Sequence, residues 1–517
     1  MLQSGAILFR RALVTTATLL AGVVACGHAV AAQMAAQTAA QTAAQASAQS
    51  RTAAVDDSTA LLQAAYEGDA ASVTKLVKAG APINQANVFG ATPLGEAARR
   101  GDAAVLRILL EAGANPDSPN AEGQTALMSV ARTGNIEAAK LLLKHGAKVD
   151  VRESWGGQTA LMWAASQDQS QMISLLASRG ADVNARAAVR EWQRRVTAEG
   201  RPKDMNRGGF TALLFAAREG HVASVKALLT AGADINLADP DGTTPLIVAL
   251  MNGHWDAARL LIESGADVNL WDWWGQSPLY VAVDMNTLPT SARIDLPTMD
   301  QANGLDLIRL LLAKGANPNA QLKLRPPFRM VSQDRQSDPM IDAGVTPLLR
   351  AAKAADVPAI QLLLGAGARV DLPNIFGHTP LMAACGAGRG NNPTRGGHQT
   401  EEQAIEAAKL LLKAGADVNA RTRDGDTAVH GAAIHGWSGL IEVLAAAGAD
   451  LDLTDKDGMT PIDYAMGRYR PRYLENKATP WPQTAETLRR LGAKRETPNP
   501  PAWPPIGVPH ITAEVPN

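Results

Sequence analysis

The sequence predicts an all-α solenoid of about eleven helix-turn-helix units joined by short hairpin loops. Two recurrent markers and one composition argument predict it. Thr-Pro-Leu or a close variant recurs at Thr59, Thr92, Thr125, Thr159, Thr211, Thr244, Ser277, Thr346, Thr379, Thr427 and Thr460. Six of the ten spacings are 33 residues and one is 34, a period typical of stacked repeats. Gly-Ala keeps the same beat at Gly80, Gly113, Gly146, Gly180, Gly232, Gly265, Gly315, Gly367, Gly415, Gly448 and Gly492. With 517 residues, 46% of them hydrophobic and 19% charged, the chain has ample apolar material for a long repeat array.

One unit, Thr243 to Asn269, shows why each element forms. The Thr244 hydroxyl can cap a helix N-terminus, and Pro245 follows at the first helical position, where its missing N–H costs nothing. A short apolar helix runs to Gly253, which can end it in a left-handed conformation. A second helix carries Ala257, Ala258, Leu260, Leu261 and Ile262 on an apolar face and stops at Gly265. Asp267-Val268-Asn269 then extends into a turn. Helices this short cannot stand alone in water, so stability must come from stacking on neighbouring units.

These segments resemble ankyrin repeats, in which TPLHxAAxxGH, a second helix ending in LLxxGADVN, and a projecting hairpin make each unit. The resemblance covers Ser58 to about Lys494. It implies a repeat array occupying 58–496 and a binding rather than a catalytic role. The His that usually follows Thr-Pro-Leu survives only as His430; Met128, Met162, Leu214 and Met382 stand at the same place elsewhere. Apolar packing is expected to replace the hydrogen bonds of that His.

Residues 1–32 read as an export signal: a basic end with Arg10 and Arg11, an apolar run from Ala12 to Ala25, and small residues for cleavage near Ala32. Val23-Val24-Ala25-Cys26 also resembles a bacterial lipoprotein box, which would make Cys26 a lipidation site and the chain's sole attachment to a membrane. The arginine pair loosely resembles a twin-arginine signal, and these readings stand side by side. Residues 33–57 form an Ala/Gln/Thr/Ser tether, and 497–517 form a Pro-rich tail. With only Cys26 and Cys385, the mature chain has no internal disulfide to form. An exported, periplasmic location is the expectation.

Three spacings are long. Two insertions of equal length, near 185–208 and 320–344, enter at hairpin tips on one edge, three repeats apart. Each pairs basic residues with an aromatic, Trp192 in the first and Phe328 in the second, and we read both as functional arms. Two others, near 286–303 and 386–400, fall between first and second helices at the opposite edge and read as tolerated loops.

The formal charge of -1 excludes the strongly basic balance of a nucleic-acid binder. No GxSxG, HExxH, phosphate-loop or paired CxxC pattern occurs, so neither catalysis nor a cofactor or metal is expected. Cys385 stands at a small-residue helix position and reads as an inert buried thiol. His221 and His254 read as structural.

Binding candidates remain. Seven residues past the capping position, where a first helix faces the concave surface, Arg99, Arg132 and Arg218 would favour a partner with acidic groups. At the hairpin tips, where most units are polar or small, Trp155, Trp271, Trp273 and Trp274 appear instead. A solvated turn gains nothing from indoles of roughly 150 to 250 Å² each, so an arm or a partner must cover them. The expected function is a protein- or peptide-binding scaffold of the cell envelope. The alternative is a small-molecule or glycan receptor with a pocket closed by the two arms.

Overall fold

The computed structural model describes residues 60–191, 195–198, 201–204, 207–287, 299–326, 340, 342–387, 400–469 and 479–497. Residues 1–59, which hold the expected export signal, Cys26 and the expected tether, residues 498–517 of the expected Pro-rich tail, and Trp192 and Phe328 lie outside them. The chain divides into two compact units, Met1–Val130 with Glu137–Lys148, and Ala131–Ile136 with Val149–Asn517.

Both units are built from pairs of short helices. In the first, Pro93–Arg100 is followed by Ala103–Glu111. In the second, Pro245–Met251 with Trp255–Glu263 is representative. The Thr244 hydroxyl accepts the Ile247 amide at 3.2 Å, and Thr92, Thr159, Thr211, Ser277, Thr346, Thr379 and Thr460 cap their helices in the same way. From Pro245 to Leu250 every side chain of the first helix is buried, because it is packed on all sides by its own partner and by neighbouring units. The second helix is one-sided: Ala257, Ala258, Leu261 and Ile262 are buried, as their spacing predicts. Leu260 is only half-buried, and Trp255 at the helix start takes the place expected of it in the core.

Consecutive repeats are laced together twice. The Asn or Asp ending most Gly-Ala-Asp-Val-Asn segments reaches to the backbone of the next repeat. Asn269 accepts the Asn317 amide at 2.8 Å and donates to the Gly315 carbonyl at 3.0 Å; Asn319 does the same to Arg369 and Gly367, and Asn419 to Asp450 and Gly448. The first unit repeats this with Asn84 on Asn115 and Gly113. The second lacing joins hairpin tips. Trp273 donates its amide to the Asp241 carbonyl at 2.8 Å, Ile375 to Ala343, Arg423 to Phe376, and Lys456 to Asp424.

The cross-unit role of the single repeat His is retained. His430 Nδ1 meets the Thr427 amide and hydroxyl, and Nε2 meets the Met459 carbonyl of the following repeat at 3.2 Å. Met128, Met162, Leu214 and Met382, at the equivalent place, are buried. His221 likewise serves the frame, its Nδ1 lying 3.1 Å from the Ala165 carbonyl. Cys385 is fully buried, and that burial holds its thiol far above the ordinary range, as an inert side chain requires.

Two features of the second unit escaped the periodic pattern. Arg350, in the middle of the helix Pro347–Lys353, is wholly buried and its Nε lies 2.6 Å from Asp284 Oδ1, itself buried in the helix Pro278–Asn286. At the turn between first and second helices, where Gly101, Gly134, Gly220, Gly253 and Gly436 take positive φ, Ala355 sits at φ 49°.

Both features carry predictions. Removing one member of the buried pair, as in Arg350→Ala, strands a charge in the core and should lower stability by about 3–5 kcal/mol, read from the urea midpoint. Ala355→Gly should raise it by about 1 kcal/mol, because only glycine adopts that backbone without crowding its own Cβ; an unchanged or lower melting temperature would count against stored strain there.

Candidate functional site

The tryptophans stand on turns whose construction is chemical necessity. In Asp272-Trp273-Trp274-Gly275-Gln276, the Asp272 carboxylate accepts the amides of Trp274 at 3.0 Å and Gln276 at 2.9 Å, and the Gln276 side-chain amide at 2.7 Å. Gly275 closes the turn at φ 81°, where a Cβ would meet the Lys323 amide at 2.6 Å. Asn87, Asn120, Glu153, Asp239, Asn374 and Asp455 play the Asp272 part in their own turns. The frame residues therefore point inward, and the residue that follows the acid in the Asp272 turn, Trp273, points out.

Outward-facing apolar side chains are consequently conspicuous. Trp155 is 78% exposed, and Trp271 and Trp273 are each 50% exposed. Trp274 is half-buried: its carbonyl accepts the amides of Lys323 and Leu324 at 2.9 and 3.1 Å, tying it to the base of the second arm. Of the sequence-predicted anchors on this turn, Trp271 and Trp273 are the accessible ones. The same positions in other turns carry residues that sequence reasoning passed over. In the first unit these are Val88, 93% exposed, and Phe89, 77% exposed; in the second, Ile375 is exposed. Aligning every tip on its capping Thr would have found them.

Among the described residues, the bases of both arms lie against tryptophans. In the first arm, Ala188 donates its amide to the Gly156 carbonyl at 2.7 Å, and Val189 pairs with Gly208 in an antiparallel bridge. Arg190 then lies over the Trp155 ring, 5.6 Å from its centroid, and donates to the Trp155 carbonyl at 3.3 Å. Further out, Arg195–Ala198 and Arg201–Asp204 form a two-stranded antiparallel ribbon, the one sheet among the described residues. The second arm is equivalent at its base. Lys323 bonds the Trp274 carbonyl through its amide, and its ammonium sits 3.1 Å from the centre of the Trp271 ring. Leu322 pairs with Val345 and Gly344, while an Arg325–Asp342 ion pair ties the two sides of the arm together.

Within the second unit, the predicted Arg132 and Arg218 are not brought to the tryptophan tips. Arg132 and Arg218 stand at the far ends of their first helices, about 10 Å along the axis from the tips. Each is applied to local rings: Arg132 lies 5.7 Å from the Trp163 centroid, and Arg218 lies 5.2 Å from Phe215 and 5.7 Å from Phe210. Arg218 also pairs with Glu219 at 2.8 Å. In the first unit, Arg99 is 5.9 Å from the Tyr66 ring and 3.5 Å from Glu96. These cations are spread over aromatic surface as cation–π partners, an arrangement distinct from a free basic stripe. The Asp284–Arg350 pair occupies the same two helix positions as Arg132 and Trp163, with an ion pair in place of the ring contact.

Electrostatically the tip turns are under stress. Burial pushes the Asp272 carboxyl up to about 6, and the neighbouring Asp239 adds repulsion, against the lowering effect of the donors around it. Burial raises Asp239 too, with Asp241 contributing. A carboxyl whose folded pKa is raised stabilises the fold fully only below its unfolded value near 4. That contribution is lost as pH rises through 6.

The family described as "Ankyrin repeats (3 copies)" matches residues 28–120, 97–187, 213–294 and 399–472, more than half of the chain. Ankyrin repeat and SOCS box protein 16 of Mus musculus is 38% identical over 125 residues, which are 24% of this chain and 26% of that protein. The B-cell lymphoma 3 protein homolog of Mus musculus is 28% identical over 193 residues, 34% of this chain and 40% of that one. The chain thus spans less than half the length of either. The crystal structure of the ankyrin repeat domain of Bcl-3 aligns with TM-score 0.36 and 27% identity, covering 43% of this chain and 92% of that one.

Asp272→Asn should stabilise the protein by about 1–3 kcal/mol at pH 7.5 and leave it unchanged at pH 4, read from urea midpoints at the two values. Asn120 with Gln124 is the internal precedent: Asn120 accepts the same two turn amides and donates its own amide to Gln124 Oε1 at 3.2 Å. Equal destabilisation at both pH values would show that the charge itself is needed.

Proposed function

Because the chain belongs to the ankyrin-repeat family, we propose that it is a non-enzymatic scaffold that holds a protein or peptide segment along the hairpin-tip edge of its second unit. The observation that carries this reading is the exposure of Trp155, Trp271 and Trp273 on turns whose backbones are fixed by buried acids and glycines. Rigid, solvent-facing indoles present large area with little conformational entropy left to lose, which is why tryptophan is enriched among interface hot spots. An open aromatic edge suits a partner protein better than it suits a small molecule, which needs most of its surface enclosed. The arginines of the first-helix ends are secondary, since their guanidinium faces already rest on rings.

Trp271→Ala combined with Trp273→Ala tests the reading. Half-exposed side chains on a turn held by other residues should change the thermal midpoint by no more than a few degrees, while partner capture from cell extract, compared with wild type by mass spectrometry, should be lost. Undiminished capture would remove the tips from the binding surface; loss of helical content would make both indoles core residues.

A further inference from the structure

We propose that residues 498–517 of this same chain lie along the tip edge of the second unit and occupy it until a partner displaces them, a proposal that rests on the tip edge being a binding surface. The first ground is where the chain leaves the array. After Gly492 the backbone follows the course that a hairpin takes in other repeats, outward to the last tip. The amides of Lys494 and Arg495 donate to Asp452 Oδ1 at 2.8 and 2.7 Å, and the Arg495 carbonyl accepts the Thr460 hydroxyl at 3.2 Å. Thr497 Oγ1 then lies 2.7 Å from Asp463 Oδ2 and 3.4 Å from the Gly458 carbonyl oxygen of that tip. Residue 498 therefore starts at the edge that carries the tryptophans.

The second ground is what stands along that edge. Counting back from the last tip, the second tip presents Ile375, the third is the base of the second arm with Leu324, and the fourth carries Trp271. These three side chains are 39%, 44% and 50% exposed, so consecutive hairpins offer apolar surface to solvent. Their backbones are already engaged: the Ile375 amide bonds the Ala343 carbonyl, and the Leu324 amide bonds that of Trp274. What fits is a segment held by its side chains, with no need of a partner strand. Residues 498–517 have that chemistry, with seven prolines, Trp503 and Ile506, no lysine or arginine, and Glu514 as their one acid. A proline-rich stretch favours the polyproline II conformation, whose backbone is satisfied by water and which docks on aromatic surface at little entropic cost. Length agrees as well. Tips two to four steps from the exit lie roughly 16 to 40 Å away at about 8 to 10 Å per repeat. At about 3.1 Å per residue that is about five to thirteen residues, which selects residues 502–510, the stretch with Trp503, Pro504, Pro505, Ile506 and Pro509. Because the segment is tethered at Thr497, the contact is intramolecular, and an affinity too weak to hold separate molecules together suffices.

The probe is a fluorescein-labelled peptide with the sequence of residues 498–517, added to the full chain and followed by fluorescence anisotropy. A full chain with Trp503→Ser, Pro504→Ser and Pro505→Ser should bind the peptide about ten-fold or more tighter than wild type, whose own tail already holds the edge. Adding Trp271→Ala to that variant should return binding to the wild-type level, and adding Ile375→Ser should weaken it as well, both at unchanged helical content by circular dichroism. Equal binding to wild type and the tail variant, or binding indifferent to Trp271→Ala, would overturn the proposal. So would a concentration-dependent dimer of wild type that the tail substitutions abolish, since it would put the tail on a second copy. If the peptide binds neither chain while Trp271→Ala with Trp273→Ala still abolishes partner capture, the tail falls as occupant and the binding surface stands.

Discussion

Helices of seven to nine residues cannot keep their apolar faces out of water unaided, and every other property of this protein follows from that constraint. A helix such as Pro245–Met251, buried on all sides, exists only because repeats stand before and behind it. What converts loose apolar stacking into a defined register is directional bonding between repeats. The Asn side chains at the ends of the second helices fix one edge, and the amide-to-carbonyl bonds between hairpin tips fix the other. Each is a small contribution of about 1 kcal/mol, but repetition along the array makes a slip of one repeat against the next break several at once.

The positions with a charged or strained residue in this frame, the Asp284–Arg350 pair and the positive-φ residues Asp168 and Ala355, are informative because they depart from the repeat pattern. Arg350 and Asp284 put an ion pair where other repeats put a ring and an arginine, or two apolar side chains. A pair desolvated to this degree contributes little net stability, while losing one member leaves the other charge buried. The buried acids of the tip turns are different. They accept several amides each, yet they stand close enough to one another to repel, so the neighbouring turns with Asp239 and Asp272 are held at some cost at neutral pH.

What could be read from the sequence was whatever depends on local chemistry. Threonine caps, proline at the first helical position and glycine at positive φ are decided within four residues, and their spacing alone located the helices. Trp271, Trp273 and Trp274 stood out because turn positions have a narrow vocabulary. The legible part ended where long-range geometry begins. Asp284 and Arg350 are 66 residues apart with two insertions between them, so they share the repeat positions of Arg132 and Trp163 only once both insertions are discounted. Lys323 over Trp271 and Arg190 over Trp155 depend on where an inserted arm folds back, which composition does not reveal. The sequence also presented the arginines and tryptophans as one surface. Helix length separates them, and the arginines turned out to be partners of Trp163, Phe215 and Tyr66.

The division of labour within each turn has a consequence for how such a protein changes over time. Asp272 and Gly275 hold the backbone, while the side chains of Trp271 and Trp273 stand half exposed beside it. Substitutions at the outward positions are therefore nearly invisible to folding, and a lineage can rewrite its recognition surface one hairpin at a time while the array beneath stays the same. An inserted arm enlarges that vocabulary, since it can lay a new side chain on a neighbouring turn without disturbing any helix. Selection for a new partner would act on these few letters first, long before it reached the core.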